Sequence, residues 1–297
     1  MGVDGQPFWY GGVLCYTKLN NLTHVVKDGT VGKMIRDFDE MDTTCKDTVF
    51  LSIYDHPHEL CCKEFWDEVN FPKGKNPPYI VPSKLRTTQE RDGLIDQYRS
   101  FIKYASEKDD TEFVTALESM RYEHQRFDRI TPAQVEQAAK SGTEANFVEI
   151  GGAYCTSAEM LDLMARYLTG RMLTPEFYYG PESDEKSVAQ GKINVKELAQ
   201  TLLTQHDTVL GFKQLKSLYR VGDNFISPVD AYATLAAAIA KGADELELVR
   251  GRLKAADNVD RSYDFADDWV LFADGFKPEN IFRHTELQTW TLKPAIF

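Results

Sequence analysis

In the first 125 residues, helical and extended hydrophobic patterns alternate. Val31, Met34, Ile35 and Phe38 recur at helical spacing and predict a helix over 30–41. Val49-Phe50-Leu51-Ser52-Ile53-Tyr54 is a short β-branched and aromatic run. It predicts a strand over 48–54 buried on both faces, as in a parallel sheet. Thr23-His24-Val25-Val26 is a second, shorter strand candidate. Thr87-x-x-Glu90 is a capping-box pattern that opens a helix to about Ser106, with Leu94, Tyr98, Phe101 and Ile102 on its apolar side. Glu112 to Ala116 predicts a last strand, and the prolines and glycine within 71–82 mark irregular chain. Helices and strands alternating in this way predict a βα architecture.

From residue 131 the pattern becomes helical and repeats. Ile150-Gly151-Gly152-Ala153-Tyr154-Cys155-Thr156-Ser157-Ala158-Glu159 aligns with Val221-Gly222-Asp223-Asn224-Phe225-Ile226-Ser227-Pro228-Val229-Asp230. In each copy a hydroxyl residue caps a helix with an acid in its first turn, and Gly170 or Gly242 stops it. Thr131-Pro132 and Asn194 open a further helix ahead of each copy. The predicted unit is helix, short extended link, Gly turn, helix, present twice. Residues 180–191 read as a polar linker, and the tail carries two extended candidates, at 269–272 and 287–294. The expected organisation is an α/β part over 1–125, a mainly α-helical two-repeat domain over 126–262, and a tail over 263–297 that packs on a domain.

Composition narrows the partners. The 297 residues are 42% hydrophobic, enough for a sizeable core. No apolar run approaches the roughly 18 residues a membrane helix needs. Residues 1–20 lack a basic start followed by an apolar core, so no signal peptide is expected there. The formal net charge is −12 and no Lys/Arg patch stands out, which argues against nucleic acid as a partner. Cys15, Cys45, Cys61, Cys62 and Cys155 have neither the spacing of a disulfide framework nor that of a zinc site, and read as buried free thiols.

The candidate chemistry lies just past the 48–54 strand, in Asp55-His56-Pro57-His58-Glu59. Loops after the carboxyl ends of parallel strands build active sites. Pro57 restricts His56 to extended geometry, and His is the commonest general acid or base. In an extended segment His56 and His58 point the same way and could chelate a metal with Asp55 or Glu59. Phe8-Trp9-Tyr10 before Gly11-Gly12 reads as a loop with exposed rings, either a sugar platform or a satellite apolar cluster. Trp66 either lines a groove or packs on the 49–54 strand.

Leu51-Ser52-Ile53-Tyr54-Asp55-His56-Pro57, followed by Glu64-Phe65-Trp66-Asp67 and Asn70-Phe71, resembles the C-terminal half of a NodB-type polysaccharide deacetylase domain. The hydrophobic-Gly-x-x-aromatic-x-Ser/Thr-x-x-acid pattern at 150–159 and 221–230 resembles a pair of pseudomurein-binding-type repeats. The resemblance implies a partial (β/α) barrel-like N-terminal part. It also implies removal of acetyl from an N-acetylated glycan, with His56 as general acid and Asp55 orienting it. Trp66, Trp9, Tyr10 and Tyr54 would then contact a polysaccharide or cell-wall glycan, and the protein would be secreted or sit in the cell envelope. A divalent metal such as zinc is implied as well, activating water at the amide. The family holds it with an early Asp-Asp pair and a His-x-x-x-His pair. Neither occurs where it is needed: the six histidines are His24, His56, His58, His124, His206 and His284. The alternative is a non-catalytic protein that holds cell-wall polysaccharide through its repeats.

Overall fold

The computed structural model describes residues 7–16, 18–21, 31–44, 48, 50–54, 56–122, 130–140, 142–255 and 270–296; for 18–21, 41–44 and 54 it describes the backbone alone. The first strands, β1 (Phe8–Tyr10) and β2 (Val13–Cys15), form an antiparallel hairpin. The expected loop at 8–12 is thus only its turn: Gly11 and Gly12 have φ of 60° and 74°, values that glycine adopts without strain. Next, β3 (Lys18–Asn21) and β4 (Ser52–Tyr54) pair in parallel, with α1 (Val31–Thr44) between them in sequence. Then come α2 (Pro57–Cys61), α3 (Trp66–Asn70), a 3-10 turn over Pro72–Gly74, α4 (Thr88–Ser106) and α5 (Ala116–Ser119). Met34 and Phe38 of α1 meet Phe101 and Ala105 of α4 in a small core, with Leu51 and Ile53 against it. Phe38 meets Phe101 edge to face at 5.9 Å.

The described residues form no barrel, partial or otherwise. Among the described residues no sheet exceeds three strands, and β4 pairs with β3 alone. The apolar run at 49–54 suggested a strand covered on both faces, but Ser52 is exposed and Leu51 and Ile53 are only half-buried. A short apolar run serves a half-covered strand as readily as a central one. The expected strand at 112–116 is absent too. Thr115 instead caps α5, accepting the Glu118 N–H while the Glu118 carboxylate accepts from Thr115 N. Local capping outweighed β propensity there. The strand candidate at 23–26 lies outside the described residues, as does Trp269; Val270, Leu271 and Phe272 of the tail candidate form a turn and not an extended segment.

The second half is not mainly helical. It contains α6 (Pro132–Ala139), β5 (Glu144–Ala145), β6 (Val148–Ile150), β7 (Ala153–Cys155), α7 (Ser157–Leu168) and β8 (Tyr178–Tyr179). These are followed by β9 (Lys192–Asn194), α8 (Val195–Thr204), β10 (Asp207–Val209), β11 (Phe212–Gln214), β12 (Tyr219–Val221) and β13 (Asn224–Ile226). After them come α9 (Pro228–Lys241), β14 (Glu245–Glu247), β15 (Arg252–Leu253), α10 (Glu279–Leu287) and β16 (Lys293–Pro294). The extended links of the two aligned segments each fold back on themselves as hairpins, β6–β7 and β12–β13. Their Gly turns have positive φ at Gly151, Gly152 and Gly222. Each link thus satisfies its own backbone groups by pairing within the unit. The helices cross between units: α6 packs on α9, and α8 packs on α7. A large core forms around α7 and α9, built by Met160, Leu161, Met164, Tyr232 and Leu235 among others. Trp290 is buried in that core, while β16 pairs with β1. No helix among the described residues is long and apolar enough to cross a membrane.

Two predictions follow from caps and buried charges. Glu90 closes the capping box of α4 and meets Lys63 Nζ at 2.7 Å. Its carboxyl is lowered to about 2, first by Lys63 and then by the N–H and hydroxyl of Thr87. A lowered folded value means that this stabilisation is present above the ordinary carboxylate range and is lost as pH falls toward about 2. Carboxyl NMR should therefore show Glu90 titrating at about 2, and Glu90→Gln should remove its share of the acid sensitivity of α4. Separately, both carboxylate oxygens of buried Glu159 meet Lys293 Nζ at 2.9 Å. Lys293→Met leaves that carboxylate unpaired and should cost about 3–5 kcal/mol in thermal or denaturant unfolding. The double variant with Glu159→Gln should recover most of the loss.

Candidate binding surface

His56 is the N-cap residue of α2, with φ −97° and ψ 117°, the extended geometry that a following proline imposes. The residues after it are helical, not an extended loop. The reason is local: Pro57 occupies the first helical turn, where its missing N–H is not needed. His56 and His58 converge on Phe65, their rings 4.9 and 4.1 Å from it and nearly perpendicular. The two imidazoles thus share a phenyl ring as a neighbour. Among the described residues no three His, Cys, Asp or Glu side chains come together as ligands. Asp55 lies outside the described residues, and Tyr54 is described in backbone only. Trp66 is 48% exposed and packs edge-on against Phe71 at 5.5 Å.

Trp9 and Tyr10 belong to different packing. Trp9 faces Lys293 across β1 and β16, and the Tyr10 hydroxyl donates to the carbonyl of Thr285. Burial pushes the Tyr10 phenol up to about 12. Tyr10 is thus a brace between the N-terminal hairpin and α10, with its polar end already engaged. Of the thiols, Cys155 is buried, and burial raises it far above its ordinary range, which keeps it protonated and unreactive. Cys61, expected to be buried, is exposed on the short helix α2; Cys45 lies outside the described residues.

The most prominent aromatic surface was not singled out from the sequence. Strands β8 and β11 pair in parallel and β10 flanks them antiparallel. Tyr178 turns inward and is 2% exposed, whereas Phe177 and Tyr179 on either side of it turn outward, the period of two of an extended chain. Phe212 of β11 joins them. The three rings meet edge to face, with centroids 5.0, 5.6 and 6.1 Å apart. Phe212 is 52% exposed. On the other side of the strands, Lys213 faces Tyr178 in the register, holds its ammonium over the Tyr178 ring and forms an ion pair with Glu176. The β1–β2 turn abuts this surface, because a Cβ on Gly12 would lie 3.0 Å from the Phe177 ring. The sequence does carry a signal: the Phe177-Tyr178-Tyr179 run and the Leu210-Gly211 turn between two short alternating segments.

The turn is strained. Leu210 has φ 52°, a left-handed conformation that disfavours a branched side chain, and is 83% exposed. Leu210→Gly should raise stability by about 1 kcal/mol, read as a shift in the unfolding midpoint. A drop in stability would mean that the leucine side chain contributes packing that outweighs the strain.

Comparison with known proteins found no match among family models, curated proteins or solved structures.

Proposed function

We propose that this protein is a non-catalytic polysaccharide-binding protein, and that the Phe177–Tyr179–Phe212 face is where the glycan rests. The observation that carries this reading is a three-ring surface on a small sheet, with Phe212 exposed and Phe177 and Tyr179 partly buried beside it. Aromatic rings offer broad, rigid apolar faces that suit the C–H faces of sugar rings and lose few rotamers on binding. The deacetylase alternative has less support. It expected a barrel that the described residues do not form, and His56, its expected acid, packs against Phe65.

The test is retention of the full chain on insoluble chitin, cellulose and bacterial cell-wall sacculi, followed by the same assay on Phe212→Ala. One lost ring contact is worth about 0.5–1.5 kcal/mol beyond its area, so retention should weaken by up to about tenfold on the glycan that binds. Circular dichroism should show the variant folded, since the ring is half-exposed. No retention of the wild type on any of the three, or undiminished retention of Phe212→Ala, would remove the reading.

A further inference from the structure

A second concave site lies away from the aromatic face, where the N-terminus of α9, the Arg250–Leu253 segment and α10 come together. Its volume is about 830 Å³, within the range of small-molecule sites. Val229, Leu253, Leu287 and Trp290 give it an apolar floor. We propose that it binds a hydroxylated small molecule carrying an oxyanion, such as a sugar phosphate or a sugar acid.

The argument rests on how Arg250 and Arg252 are seated. Between them Gly251 lies so close to α9 that a Cβ would be 2.1 Å from the Val229 carbonyl oxygen. Only glycine permits that approach. Gly251 N donates to Asp230 Oδ1 at 2.9 Å, and Arg250 Nη1 donates to Asp230 Oδ2 at 2.8 Å. Arg252 Nη2 meets Glu144 Oε1 at 2.6 Å. Each guanidinium is therefore oriented by one carboxylate at one edge. Each carries five N–H donors, so donors remain on both. Their side chains are 65% and 78% exposed. A planar fork held in place loses little freedom when it meets a second oxyanion.

Two further cations line the cavity. Lys186 and Arg283 form no ion pair among the described residues, although both are exposed. The cavity also contains acids. Asp230 is buried with both oxygens engaged, which leaves Asp184, Glu185 and Glu286 as acceptors. A bare anion would gain nothing from those three. A ligand that also carries hydroxyl groups can donate to them, which is why the class is a sugar with an oxyanion rather than an anion alone. This inference stands independently of the aromatic face.

Isothermal titration of the full chain with glucose 6-phosphate, glucuronate and glucose separates the sources. One of the two charged sugars should bind at least about tenfold more tightly than glucose, and which one does so identifies phosphate or carboxylate as the preferred group. The Lys186→Ala/Arg283→Ala double variant, at exposed positions with no ion pair to lose, should weaken that binding about tenfold or more with an unchanged melting temperature. Arg252→Gln is a second, independent variant expected to act in the same direction. Equal binding of all three sugars, binding of none, or indifference to both variants would overturn the proposal.

Discussion

Helix α7 is enclosed on every side, and that constraint shapes the rest of the second half. From Ser157 through Ala165 every residue is buried, including Glu159 and Asp162. An all-round buried helix is ordinarily apolar, and an unpaired carboxylate inside a core costs several kcal/mol. Each acid is therefore met by a base. Asp162 accepts from Arg166 Nε at 2.6 Å and from the N–H of Glu176, while burial still pushes its carboxyl up. Glu159 meets Lys293, which lies at the far end of the chain. Such pairs need not add net stability over apolar packing. Their effect is positional: they dictate which segments must lie against α7.

Two of those segments carry the surface features. Glu176 leads into Phe177-Tyr178-Tyr179, so the partner that backs Asp162 also starts the aromatic strand β8. Lys293 lies in β16, which pairs with β1 so that Trp9 faces Lys293 and Phe8 faces Pro294. The turn of that same hairpin then presses Gly12 against Phe177. The aromatic face is thus supported from beneath by Asp162 and Arg166 and from the side by the N-terminal hairpin. Rings fixed in this way have little rotamer freedom left to lose on contact with a ligand.

The sequence was legible where structure is local. The capping boxes at Thr87/Glu90 and Thr156/Glu159 depend on residues three apart, and each closes as its spacing suggests. So does the side-chain cap at Asn194. The stripe Val31, Met34, Ile35, Phe38 packs inward because a 3.6-residue period leaves no other arrangement. What failed was non-local. Nothing in Val49–Tyr54 says how many strands will join it, and among the described residues one does. Nothing in the extended links says that they pair within the unit. The aromatic face needs Phe212 beside Phe177, brought there by a parallel pairing of distant segments that no periodicity encodes. Trp9, Tyr10, Trp66 and His56 were visible as residue types, but their partners Thr285, Phe71 and Phe65 were set by packing.

The two aligned segments share a local pattern, but their helix caps differ. In α7 the hydroxyl of Thr156 accepts the first-turn N–H of Glu159, so the cap is complete within the helix. In α9 the hydroxyl of Ser227 makes no such bond; Ser187 from the preceding segment accepts the N–H of Ser227 instead. Glu159 turns to a lysine from the C-terminal strand, whereas Asp230 holds the Arg250-Gly251 backbone and guanidinium. The same acid three residues after the cap thus closes the core in one copy and fixes a cation beside a cavity in the other. The two acids occupy equivalent places after the cap, and the different segments they hold give the two units different surroundings.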